Sequence, residues 1–156
     1  MQVLERKSFA APARGHVLDA PRLSAAARIL GALSVLAVGA VHLQQYDYYS
    51  TIPTIGTLFL LNFAGATAIG LGLLAPLERL LGRLGATAHA LLALGGIGLA
   101  ATSFVFLLIA ERTPVFGFQE PGYDPAAIMA SRVAEIVTVV ALGGYLAMRS
   151  RRGEPA

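Results

Sequence analysis

Four apolar runs divide the chain, at Ser24–Leu43, Pro53–Leu74, Ala86–Ala110 and Pro125–Met148. Each is long enough to cross a hydrocarbon core of about 30 Å as a helix rising about 1.5 Å per residue. The runs are separated by short polar, aromatic or proline-bearing stretches. The pattern predicts an all-α integral membrane four-helix bundle. Local signals sharpen the helix starts. Pro53 follows the turn-like Ile52, and Asp124-Pro125 pairs a short acceptor side chain with proline at the first helical position. Ala66 with Gly70, and Ala68 with Gly72, are spaced four apart, so another helix can approach the second one closely. The connection 75–85, with Arg79 and Arg83 beside leucines, is short enough to make the second and third helices antiparallel neighbours lying over an interfacial turn.

Outside the runs, residues 1–23 are polar, basic and broken by Pro12 and Pro21, which predicts a disordered basic tail. No apolar core follows its charges, so it does not read as a signal peptide. Arg28 sits near the start of the first helix and is expected to snorkel to the interface. Residues 149–156 form a second basic tail. Ten of the twelve Lys and Arg residues flank the two ends or the 75–85 connection, and only Arg112 and Arg132 belong to the opposite side. The positive-inside rule therefore predicts both termini in the cytoplasm. The remaining loops carry Asp47, Glu111, Glu120 and Asp124, with Tyr46, Tyr49, Phe116, Phe118 and Tyr123 as an aromatic belt.

Charge changes the picture most inside the last run. Arg132 and Glu135 are the only charges between Ala126 and Met148. Glu135 lies about 13 Å past the helix start, where an unpaired charge costs at least about 2.5–3.5 kcal/mol. Three apart, the two side chains share a helix face and are expected to neutralise each other. With both termini inside, His42, Asn62, Ser103, Arg132 and Glu135 fall at a common outer-leaflet depth, on all four helices. The inner halves read as almost bare. This asymmetry points to a ligand or proton site opening outward, with Tyr46, Asp47, Tyr49, Glu120 and Tyr123 at its mouth. The alternative is interhelical glue, each group satisfied by a neighbour or a backbone carbonyl.

Composition then excludes whole classes. The chain is 56% hydrophobic and 13% charged, about half the soluble norm of about 25%. It has no cysteine, which rules out disulfides, thiolate metal sites and covalent c-type haem. His42 and His89 are expected at opposite leaflets, too far apart to share one metal ion, so neither a metal nor a cofactor is expected. The net charge of +3 follows membrane orientation and gives no nucleic-acid signature.

The segments GAVHLQQYDYYSTIPTIGTLFLLN (39–62) and FGFQEPGYDP (116–125) resemble a group of small four-helix membrane proteins from high-GC bacteria. That group carries no assigned activity to transfer. In size and helix count the chain is also similar to DoxX-like membrane proteins, an analogy of shape. The expected role is a bacterial inner-membrane accessory or assembly subunit without enzymatic activity. Its partners are the lipid bilayer and a membrane protein or second copy of itself, bound through the outer polar layer. A small proton-coupled transporter using Glu135 with Arg132, and a quinone- or lipid-modifying enzyme using His42 with Glu135, stand as the rivals.

Overall fold

The computed structural model describes residues 20–151. The expected tails lie outside that range for residues 1–19 and 152–156. Within it the chain is mostly helical, and no strand is found among the described residues. The helices are α1 (Ala20–Tyr49), α2 (Pro53–Leu74), a short α3 (Leu77–Leu81), α4 (Arg83–Ala110) and α5 (Pro125–Ser150). Four of them, α1, α2, α4 and α5, are long and apolar enough to cross a membrane. Helix α1 starts before Ser24 and continues through the tyrosine knot to Tyr49, and α5 runs two residues past Met148. Of the polar residues at these ends, Gln45, Tyr49 and Arg149 have partners inside the bundle.

The four long helices form a ring in the order α1, α2, α4, α5. Helix α1 packs closely on α2 and α5, whereas α2 and α5 stand on opposite corners. Small residues set the close approaches. A Cβ on Gly39 would come within 2.9 Å of Ala66 Cβ, and one on Gly70 within 3.1 Å of the Ala32 carbonyl. Ala66 and Gly70 therefore both face α1, while Ala68 points outward. Gly72 faces Leu92 of α4 instead. Leu142, fully buried, lies between Gly31 and Gly96 and joins α1, α4 and α5. The outside is lined by exposed leucines, including Leu33, Leu61, Leu91 and Leu94, as expected of a surface that meets lipid.

The two ends of the ring differ. The end holding the 50–52 turn and the 111–124 loop is termed the loop end, and the opposite one the terminal end. At the loop end, Asp124 caps α5, accepting the Ala127 N–H at 2.9 Å. That bond and the one from Gln45 hold its carboxyl below the usual carboxylate range. Val115 and Phe118 exchange backbone hydrogen bonds of 2.7 and 3.0 Å around Phe116 and Gly117, both with positive φ. That is the mirror-image tight turn that favours glycine at its second central position. The turn folds the loop back, so that Phe118 meets Tyr49 edge-on at 5.2 Å and Phe116 stacks on Phe106 at 6.2 Å.

Candidate functional site

A cavity of about 480 Å³ occupies the loop-end half of the bundle. Its origin lies in the sequence of α2 and α4. In their terminal halves these helices touch through glycine, with Gly72 against Leu92 and Gly65 against Leu99. Past Asn62 and Ser103, Leu58, Leu61, Phe106 and Leu107 line the cavity. Leu58, Leu61 and Phe106 are also exposed, so the cavity opens sideways between α2 and α4 as well as toward the loop. Tilted rings of His42, Phe59 and Tyr49, 4.8–4.9 Å apart, build the wall on the α1 side.

Four of the predicted residues meet here. His42 Nδ1 lies 2.8 Å from the Val38 carbonyl, one turn back on α1. A carbonyl only accepts, so Nδ1 carries the proton, and Nε2 of the neutral ring accepts from the Ser103 hydroxyl at 3.0 Å. Ser103 Oγ in turn accepts from Asn62 Nδ2 at 3.2 Å. One Asn62 N–H is used along this chain, and Asn62 Oδ1 is left buried with no partner among the described residues. Across the cavity, Ser131 donates to Glu135 Oε1 at 3.0 Å, while Glu135 Oε2 is buried with no hydrogen-bond partner among the described residues. Glu135 is only 1% exposed.

The mouth is narrower than the sequence suggests. Tyr49 and Glu120 line the cavity, and the Tyr49 hydroxyl donates to Glu120 Oε2 at 2.5 Å. Glu120 Oε1 accepts from the Gly122 and Tyr123 N–H groups. Tyr46, Asp47 and Tyr123 are not among its lining residues. Helical period explains the first two: His42, Gln45 and Tyr49 share the inward face of α1, and Tyr46 and Asp47 fall off it. Gln45, which the sequence reading passed over, is buried and donates to Asp124 Oδ2 at 2.9 Å. Its spacing of three from His42 was the available signal.

Two expectations are corrected. Arg132 does not hydrogen-bond to Glu135 and does not line the cavity. Its guanidinium binds both carboxylate oxygens of Glu111, at the end of α4. The buried face of α5 runs through Ser131, Glu135, Thr138, Leu142, Tyr145 and Arg149, and Arg132 sits at its edge. From there a long side chain reaches the α4 terminus more easily than the core. The second correction concerns the terminal half, which is not bare. His89 is 2% exposed, with Nε2 at 3.2 Å from Arg28 and 3.1 Å from the Ala75 carbonyl, and Nδ1 at 3.3 Å from Glu78 Oε1. Arg28 turns inward onto the Leu73 carbonyl at the end of α2 instead of snorkelling outward. The unsatisfied carbonyls of a helix C-terminus attract a cation. Arg149 is buried too, donating to the Ala86 carbonyl at 2.9 Å beside Tyr145. The spacing of Tyr145 and Arg149 on the Glu135 face of α5 was the overlooked signal.

The arrangement can hold a polar head among Asn62, Ser103 and Glu135 while apolar walls cover a tail. No family model, curated protein or solved structure gives a significant match to the chain, so the site is defined by its own geometry alone.

Proposed function

We propose that this chain is a multi-pass protein of a bacterial cytoplasmic membrane, with both termini inside, and that it serves as a non-enzymatic accessory subunit that binds an amphiphile in its loop-end cavity. The observation that carries the reading is the pair of buried oxygens, Asn62 Oδ1 and Glu135 Oε2, that have no hydrogen-bond partner among the described residues and belong to residues lining a cavity of about 480 Å³. Buried polar atoms are normally hydrogen-bonded, and glue alone would have saturated them. The volume suits one drug-sized ligand or the head and upper tail of a lipid. The sideways opening between α2 and α4 gives a tail a route from the bilayer.

Gly98 supplies the test. It lines the cavity, and a Cβ there would meet nothing within 4 Å. Gly98→Leu is expected to fill the space without disturbing the fold. Native mass spectrometry of the protein released from membranes should show a bound amphiphile on the parent and none on the variant. Equal occupancy in both would overturn the reading. Orientation is tested separately, in a chain that has no cysteine of its own. Ser50→Cys and Tyr123→Cys should react with an impermeant thiol reagent added outside intact cells, and Arg83→Cys only after the membrane is opened. Reaction of the Arg83 variant in intact cells would reverse the topology.

A second reading, a proton-coupled carrier, draws on the buried face of α5. Ser131, Glu135 and Thr138 lead from the cavity toward Tyr145 and Arg149, and Leu142 is the one large apolar residue among the buried positions between Thr138 and Tyr145, beside the small Ala141. The test is a proton leak opened by removing Leu142, taken up with the packing prediction below.

A further inference from the structure

We propose that the ligand head is a protonated amine, so that the cavity selects lipophilic ammonium compounds over neutral and anionic amphiphiles. This rests on the amphiphile-binding reading above and adds the chemistry of the head.

The argument begins with donors and acceptors. In the His42–Ser103–Asn62 chain, the imidazole N–H is spent on the Val38 carbonyl and the serine hydroxyl on His42 Nε2. One of the two amide N–H groups of Asn62 is spent on Ser103 and the second remains a donor. The atom of that chain left buried without a hydrogen-bond partner among the described residues is Asn62 Oδ1, an acceptor. The open atom on the facing helix is Glu135 Oε2, a second acceptor. A carboxylate has no donor to give, and neither does a carbonyl oxygen. A phosphate or carboxylate head would set oxygen against oxygen, whereas an ammonium supplies three donors.

Charge points the same way. Three carboxylates line the cavity, those of Glu120, Asp124 and Glu135, and no Lys or Arg is among its lining residues. Glu120 and Asp124 already accept two or more hydrogen bonds each, from Tyr49, Gly122 and Tyr123, and from Gln45 and Ala127. Glu135 holds the Ser131 hydroxyl and also feels Ser103 and the Arg132 charge, but the Arg132 guanidinium is itself bound by Glu111, so no cation contacts the Glu135 carboxylate directly among the described residues. A buried carboxylate among low-dielectric walls attracts a cation much more strongly than one in water. The ligand ammonium would take the place that the sequence assigned to Arg132.

The test compares dodecylamine, dodecanol and dodecyl phosphate, which share a tail and differ in head. Each is titrated into the full chain in zwitterionic lipid nanodiscs, followed by the thermal unfolding midpoint. The Gly98→Leu variant reports what the ligands do to the bilayer alone. Relative to that variant, dodecylamine is expected to bind at least about tenfold more tightly than dodecyl phosphate, a difference of about 1.4 kcal/mol. Dodecanol should fall between them. Glu135→Gln should reduce the amine to the level of the alcohol. If that variant does not fold, the ranking on the parent chain decides. Hexylamine added from water, and an amine-headed diacyl lipid built into the bilayer, distinguish a free lipophilic amine from a membrane lipid. Binding of either with the same dependence on Glu135 supports the proposal. If alcohol or phosphate matches the amine on the parent, the ammonium proposal is overturned and amphiphile binding stands. If no ligand distinguishes the parent from Gly98→Leu, both fail.

Discussion

Leu142→Ala is expected to cost about 2–3 kcal/mol of bundle stability, and Gly31→Ala about 1–3 kcal/mol, yet the two together should cost less than their sum. Leu142 is fully buried at the crossing of three helices. Its truncation leaves a cavity that neighbours held by a glycine contact cannot easily close. The figure sits at the low end of the usual range because lipid is as apolar as leucine, so the transfer contribution is small in a membrane. Gly31 fails for the opposite reason. A Cβ there would overlap the Leu142 side chain, and overpacking typically costs about 1–3 kcal/mol. In the double variant the new methyl occupies part of the space left by leucine, so the residues must couple. Thermal unfolding of the four proteins in one detergent measures the cycle. Strict additivity would mean that Leu142 does not fill the Gly31 cleft. Reconstituted with a trapped pH dye, Leu142→Ala also decides the carrier reading. A proton leak abolished by Glu135→Gln would support it, and a tight vesicle would end it.

Replacing His89 by leucine should destabilise the bundle by about 2 kcal/mol, with His89→Gln recovering about half. The imidazole donates through Nδ1 to Glu78 on α3, and its Nε2, 3.1 Å from the Ala75 carbonyl after α2, accepts from Arg28 on α1. Leucine keeps the volume and removes both hydrogen bonds. Breaking a buried ion pair costs about 3–5 kcal/mol. Glu78 is 59% exposed, however, and water replaces much of what it loses. The main loss is at Arg28, whose guanidinium keeps only the Leu73 carbonyl as partner among the contacts described above. Glutamine can donate and accept over a similar reach, which is why partial recovery is expected. The measurement is again the unfolding midpoint in detergent. A leucine variant as stable as the parent would show that the terminal-end cluster does not anchor α1 to α2.

Several features of this protein were legible in the sequence because their causes are short-range. The long apolar runs gave four helices long and apolar enough to cross a membrane, since length and hydropathy are properties of a segment alone. The Asp124 cap was readable because donor and acceptor lie three residues apart. The common depth of His42, Asn62, Ser103 and Glu135 followed from counting residues along helices of fixed rise. Those four residues do line one cavity.

What the sequence left open depends on how helices turn toward one another. Arg132 and Glu135 share a helix face by spacing, but the rotation of α5 buries Glu135 and leaves Arg132 at the margin, within reach of Glu111 on α4. Likewise, hydropathy alone could not show Arg28, His89 and Arg149 turning inward to helix-end carbonyls, because those acceptors are presented only once α2 and α4 are docked. The cavity itself is tertiary in origin. Glycines mark the contacts in one half of α2 and α4 and large side chains line the cavity in the other, but only their packed register puts those halves opposite each other.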